Sequence, residues 1–307
     1  MITIPCRCSS TVEHSFRKAG VESSILSIGL MNLDEKYNSL KKTLKSFGKV
    51  AIAYSGGVDS TFLLKAAVET LGARNVLACI GISPSLGQSL KKQALESAKT
   101  IGANLRQVHV QELDDPAYSD NKADRCFHCK SHLYGLIVNI AGEHNIAHVL
   151  CGSNFDDKDD FRPGKRAAKV FGVHAPLAET QLTKNDIRQL SRKLDLPNAE
   201  APASPCLASR ISYGLKITEE RLNQIDQAED FLRSLGFIEF RVRHHGDIAR
   251  IEVPSEQIEK ITAEKTRNKI VDKLKSLGFK YITIDLQGFR SGSLNESLTD
   301  EEKNSAK

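Results

Sequence analysis

Ser55-Gly56-Gly57-Val58-Asp59-Ser60 separates two segments of different periodicity. Before it, Lys49-Val50-Ala51-Ile52-Ala53-Tyr54 is a short apolar run that reads as a buried strand. After it, Thr61 to Val68 spaces its apolar residues as a buried amphipathic helix does. Strand, glycine turn and helix in that order leave the first helical amides unpaired, with the positive end of the dipole behind them. Two glycines let the backbone come close to a ligand. Such a turn is a cradle for phosphate. It has no Gly-Lys-Ser/Thr and is not Gly-x-Gly-x-x-Gly, which separates it from the Walker loop and the dinucleotide fingerprint. The bland alternative is a helix capped by Ser55 or Ser60 with no ligand.

Outward from the loop, strands and helices alternate. A helix over Asn32–Phe47 leads into the first strand. Asn75–Ile82, Leu105–Val110 and His148–Cys151 read as strands; Gln88–Ile101, Ser131–Ala141 and Lys184–Leu194, with Thr183 as N-cap, read as helices. This alternation predicts an α/β fold with a doubly wound, Rossmann-like parallel sheet and ligands at the carboxyl ends of its strands. Gly152-Ser153-Asn154-Phe155-Asp156-Asp157 follows its strand as the cradle follows its own. Beyond Leu215 the pattern changes to a helix (Thr218–Leu235), a hairpin (Phe237–Arg243 and Ile248–Val253), a helical stretch (Ser255–Leu277) and a strand (Lys280–Leu286). These make a smaller C-terminal α+β domain. The expected boundaries are 32–212 and 213–294, with a disordered leader at 1–31 and a polar tail at 295–307. Cys6-x-Cys8 in the leader has a metal-binding alternative.

The 307 residues carry 43 basic and 38 acidic side chains, a net charge of +5 with the signs mixed along the chain. That favours an anionic ligand mildly and lacks the basic stripe expected of a nucleic-acid binder. Trp is absent, so base-stacking platforms are scarce. No apolar run reaches membrane-spanning length. Seven irregularly spaced cysteines suit a reducing compartment, and a cytoplasmic protein is expected.

Three further groups carry chemistry. In the hairpin, Ile238, Phe240 and Val242 alternate with Glu239, Arg241 and Arg243, while Arg250 and Glu252 oppose Ile251 and Val253. The polar face is either an anion site of arginine forks or a solvated face of ion pairs. Cys126-Phe127-His128-Cys129 allows a redox dithiol, buried thiols, half a zinc site completed by His128 or His132 with Cys206, or a share of an iron–sulfur cluster. Cys206, in Pro202-Ala203-Ser204-Pro205-Cys206-Leu207-Ala208-Ser209-Arg210, is expected to be exposed and reactive. Cys79 and Cys151 lie in apolar strand runs and are expected in the core.

With its flanking strand and helix, the loop resembles the pyrophosphate loop of ATP pyrophosphatases. From Asn32 to Glu296 the chain resembles the LarE family of ATP-dependent sulfur transferases. The resemblance rests on Ser55–Ser60, Asp124–Lys130, the run from Gly152 through Asp156, Asp157, Asp160 and Arg162 to Gly164, Ala175-Pro176-Leu177, Pro202–Arg210, Arg241–Gly246 and Gly288–Gly292. It departs at Asn198-Ala199-Glu200-Ala201 and at Gly87-Gln88-Ser89. The resemblance implies adenylation of pyridinium-3,5-biscarboxylic acid mononucleotide, then replacement of AMP by sulfur. ATP would lie on Ser55, Gly56, Gly57, Val58, Asp59, Ser60, Gly152 and Asn154, with Mg²⁺ on Asp59. Catalysis would use Cys206, Asp59 and Arg210, and the substrate would meet Arg210, Arg241, Arg243 and Glu252. Cys126, Cys129 and Cys206 match the three-cysteine members, in which a [4Fe-4S] cluster carries the sulfur; single-cysteine members give up the sulfur of the residue matching Cys206. The expected partner is a small-molecule nucleotide, in a homo-oligomer. A tRNA thiolase or a nucleotide-sensing module are the competing readings.

Overall fold

A computed structural model describes residues 31–159, 163–202, 205–290 and 292–306. The leader with Cys6 and Cys8 lies outside the described residues, as do Asp160, Arg162, Ala203, Ser204 and Ser291. α1 (Leu33–Phe47) buries Leu40 and Leu44, one turn apart, and leads into β1 (Val50–Tyr54), whose five residues are all buried. A strand covered on both faces needs no polar alternation and belongs at the centre of a sheet. α2 (Val58–Leu71), β2 (Val76–Ile82), α3 (Gln88–Ile101) and β3 (Asn104–His109) continue the alternation. The short α4 (Pro116–Ser119), the long α5 (Arg125–Glu143) and β4 (His148–Cys151) complete the sheet.

All four strands are parallel, in the order β3-β2-β1-β4. β2 and β3 lie on one side of β1 and β4 on the other, so the strand order reverses between β1 and β4. Chains leaving two such strands diverge and open a crevice at their carboxyl ends. Ser55–Ser60 leaves β1 there and Gly152–Asp157 leaves β4 there. After β4 come α6 (Gly164–Val170), α7 (Pro176–Glu179) and α8 (Lys184–Lys193). α8 opens on the expected Thr183, in a capping box with Asp186. One face of the sheet packs Leu40, Phe62, Leu63 and Ile187; the other packs Tyr134, Ile137 and Ala167. The doubly wound α/β sheet expected from the alternation is the one observed.

A second, three-stranded sheet follows. α9 (Glu219–Ser234) precedes β5 (Arg241–His245) and β6 (Ile248–Glu252), and α10 (Ile258–Thr262) and α11 (Glu264–Ser276) precede β7 (Tyr281–Ile284). β6 pairs antiparallel with β5 and parallel with β7. Within the polar tail, Asp300–Ala306 forms α12. Ala263, extended at ψ 133°, breaks the single helical stretch expected over Ser255–Leu277.

Two hairpin expectations are corrected. β5 begins at Arg241, not Phe237, because Gly236 (φ +80°) ends α9 and residues 237–240 run as irregular chain into the strand. Ile238 is therefore 79% exposed and does not share the apolar face of Phe240 and Val242. Arg241, Arg243 and Glu252 are buried, so the polar face is not a solvated one. α5 also starts at Arg125, six residues ahead of the expected Ser131, which puts Cys126 and Cys129 in its first turns. No described helix is long and apolar enough to cross a membrane.

Candidate active site

In the loop after β1, Gly56 has φ +79°, and a Cβ there would collide with Ala94 Cβ. Backbone conformation and space both demand glycine. Gly57 is the N-cap of α2 and no side chain caps the helix, so neither Ser55 nor Ser60 does. The Ser60 hydroxyl instead donates to Gly57 O at 3.1 Å and accepts from Ser55 N at 3.2 Å. Asn198 braces the loop, its amide donating to Gly56 O and Thr61 Oγ1, each at 2.9 Å. An uncapped helix start thus faces the crevice with its dipole positive outward.

β4 comes so close that a Cβ on Gly152 would lie 2.9 Å from Ser60 N. Asn154 Oδ1 accepts from Asp156 N at 3.0 Å, and Asp156 in turn accepts the first amide of α8, Lys184 N, at 2.8 Å. The Lys184 ammonium donates to both oxygens of Asp59 at 2.8 Å. Burial raises the Asp59 carboxyl above the usual carboxylate range; Lys184 pulls it back and Asp157 pushes it up again. Asp59, Asp157 and Asn154 are oxygen donors of the kind a hard cation takes. Sequence reasoning missed Lys184, which lies 125 residues from its partner.

The thiols gather at the same end of the sheet. Ser85 lies just past β2, and its carbonyl accepts from Leu207 N at 2.9 Å. Its hydroxyl meets the buried Tyr118 hydroxyl at 2.6 Å. Asn121, fully buried at φ +58°, donates to the carbonyls of Ile211, Ser212 and Leu215 at 3.3, 2.8 and 2.9 Å. Its own carbonyl accepts from Arg125 Nη1 at 2.8 Å. The Cys206 segment is thereby fastened to the helix of Cys126 and Cys129. Cys129 packs with Tyr118, Leu207, Ala208 and Ile211, while Cys206 is exposed, as expected. Burial pushes the Cys129 thiol up, and Cys206, Glu112 and Cys126 push it further against Lys130. Arg125 is acted on by Cys126 and Cys206 in turn. The three thiols thus share one electrostatic neighbourhood.

Three thiolates form a soft donor set of the kind that suits iron and sulfide. Among the described residues no three His, Cys, Asp or Glu side chains converge as a single metal ion requires. Of the histidines read as zinc candidates, His128 pairs with Asp124 at 3.3 Å and His132 with Asp115 at 2.8 Å. Cys79 and Cys151 are buried, as expected.

The arginines come together beneath Cys206. Arg210 is 1% exposed; its Nε and Nη2 donate to Glu229 at 2.9 and 3.1 Å. Its Nη1 holds the carbonyls of Pro205 and Cys206. Arg243 forks onto Glu252 at 3.0 and 2.8 Å and reaches Ser209 O at 2.9 Å. Arg241 lies over the Phe289 ring, 5.0 Å from its centroid, and burial followed by Arg210 draws its guanidinium down to about 10. Glu229, absent from the sequence candidates, is the counter-charge that completes the set.

No protein-family model matches the chain. It is 40% identical to an uncharacterised protein of Synechocystis over 87% of this chain and 99% of that one. It is 37% identical to the pyridinium-3,5-bisthiocarboxylic acid mononucleotide synthase of Lactiplantibacillus plantarum, over 88% of this chain and 97% of the synthase. The chain belongs to the LarE family. A further relative, an uncharacterised protein of Methanocaldococcus jannaschii, is 32% identical over 85% of this chain and 98% of its own length. This LarE-family member is an enzyme of the sulfur-transferase type.

Proposed function

We propose that this enzyme uses ATP and Mg²⁺ to adenylate a carboxylate of pyridinium-3,5-biscarboxylic acid mononucleotide, then replaces AMP by sulfur to give the thiocarboxylate. The observation that carries the reading is the bond from Leu207 N to Ser85 O. It fixes an exposed thiol at the end of the sheet where an uncapped helix start opens. The substrate is taken from the name of the L. plantarum relative.

In the first step a substrate carboxylate oxygen attacks the α-phosphorus and pyrophosphate leaves. Ser55, Gly56, Gly57, Val58 and Ser60 cradle the departing phosphates, with Gly152 and Asn154 closing the other side. Asp59 would hold Mg²⁺, which neutralises charge growing on the leaving group. Lys184, now on Asp59, is then free to turn toward the phosphates. In the second step sulfur attacks the acyl carbon, the carbon–oxygen bond to AMP breaks, and AMP departs with the electron pair. Arg210, Arg241 and Arg243 against Glu229 and Glu252 leave one positive charge over, suited to the anionic substrate. Arg210 also holds the Cys206 backbone in place. Cys126, Cys129 and Cys206 would hold a [4Fe-4S] cluster, which would supply the exchangeable sulfide.

A second reading, favoured by the exposure of Cys206, has that residue surrender its own sulfur and become dehydroalanine. Anaerobic purification with iron and sulfide assays and intact mass decides between them. The cluster reading expects iron that any one Cys→Ala change removes, and repeated turnover with sulfide. An iron-free, active protein whose Cys206 loses the mass of H₂S after one turnover would overturn it.

A further inference from the structure

One peptide of the loop after β1 is freer than its neighbours. It joins Gly56, at φ +79°, to Gly57, so neither flanking residue carries a Cβ. Such a peptide can turn over at little cost. It is trans and planar, so its carbonyl and its N–H point opposite ways. Whatever holds Gly56 O therefore also aims Gly57 N–H. The loop's own bonds hold the next peptide instead: Thr61 N and Ser60 Oγ donate to Gly57 O at 2.9 and 3.1 Å.

The hold on Gly56 O comes from 142 residues away. Asn198 Nδ2 donates to it at 2.9 Å, and to Thr61 Oγ1 of α2 at the same distance. Gly56 O can only accept, so the NH2 end of the amide faces the loop and Oδ1 is left buried without a partner. One side chain thus ties the glycine turn to the helix that follows it. Asn198 is itself firmly placed. Leu196 packs in the core with Ile187 and Leu190 of α8, and its N–H donates to Ser191 O at 2.9 Å. Ala201 N donates to Asn198 O at 3.1 Å, and Arg188 Nη2 to Ala201 O at 3.2 Å. Asn198 also stands in a stretch where the chain departs from the family pattern, so the family resemblance does not supply this contact.

We propose that Asn198 is the positioning residue of the phosphate loop: by holding Gly56 O it turns Gly57 N–H away from itself and into the crevice, to donate to a β- or γ-phosphate oxygen of ATP. The assignment rests on the phosphate-cradle reading above and adds the residue that sets the aim of the cradle. No bond is made or broken in this step.

Asn198→Leu keeps the branched outline and removes both donors; Asn198→Ala removes them without adding bulk. Either variant alone decides, so one that fails to fold leaves the other. Titration calorimetry should show magnesium pyrophosphate and ATP bound about tenfold more weakly than by the wild type, the equivalent of roughly 1.4 kcal/mol. AMP, which lacks the β- and γ-phosphates, should bind as before. A crystal structure of the Ala variant should show the 56–57 peptide turned over or in two orientations. An asparagine that only supports the fold would weaken AMP as much as pyrophosphate, and that result overturns the assignment. Unchanged pyrophosphate affinity, or a 56–57 peptide that keeps its direction in the variant, does the same. If the wild type binds pyrophosphate but makes no AMP from ATP and the pyridinium substrate, the adenylation reading fails, and the affinities still decide this one.

Discussion

Glu229→Gln removes one charge and almost no volume. Glu229 is 4% exposed and accepts from Arg210 Nε at 2.9 Å, Arg210 Nη2 at 3.1 Å and Val242 N at 3.2 Å. Without its charge, Arg210 keeps a buried guanidinium with no carboxylate beside it. Arg241 also loses the nearby carboxylate that raises it against burial and Arg210. Removing one partner of a buried ion pair costs about 3–5 kcal/mol. In a chain of this size each kcal/mol moves the melting point by about 2–4 °C. The variant should therefore melt roughly 6–20 °C lower. Scanning calorimetry of the wild type, E229Q, R210M and the double variant supplies the cycle. The double variant should lose less than the sum of the singles, because no unpaired charge remains. A loss in E229Q below about 1 kcal/mol, typical of an exposed pair, or strict additivity in the double variant, would refute the argument.

Asp59→Asn should leave the melting point close to wild type and abolish substrate-dependent conversion of ATP to AMP; AMP formation at the wild-type rate would remove Asp59 from the mechanism. Gly152→Ala sets a methyl 2.9 Å from Ser60 N, so ATP affinity by calorimetry should fall along with about 1–3 kcal/mol of stability; unchanged affinity would show that β4 does not close the cradle. His244, 3% exposed, has Nδ1 accepting from Gly246 N and Nε2 against Gln224 Oε1, and burial, then Arg221 and His245, lower it from 6.5 to about 4. The fold therefore favours the neutral ring: this stabilisation, about 3 kcal/mol at most, is whole above pH 6.5 and lost as pH falls toward 4. The fall in melting point over that range should shrink in His244→Asn, and an identical fall would exclude the histidine as its source.

The sequence made the first sheet legible because β1 and its neighbours are apolar runs punctuated by helices, and the loop stands where strand meets helix. The thiols and the arginines were visible as residue types. Their partners were not. Lys184 meets Asp59 across 125 residues, and Glu229 sits on a helix whose charge pattern looks like any solvated one. Glu112 and Asn121 lie in turns without a period, so nothing local announces that one is buried unpaired and the other fully bonded. Ile238 misled for the opposite reason: alternation starts in the sequence before the chain, leaving α9 at Gly236, has entered the strand at Arg241.

Asn121 ties the two thiol-bearing segments together through its own hydrogen bonds. One amide holds three carbonyls just beyond Cys206, and its oxygen holds the helix of Cys126 and Cys129 through Arg125. The backbone around the three cysteines is thus ordered by the chain's own bonds rather than by cargo. The conformational entropy of gathering the thiols is spent on folding, so anything the proposed site takes up should cost little further ordering.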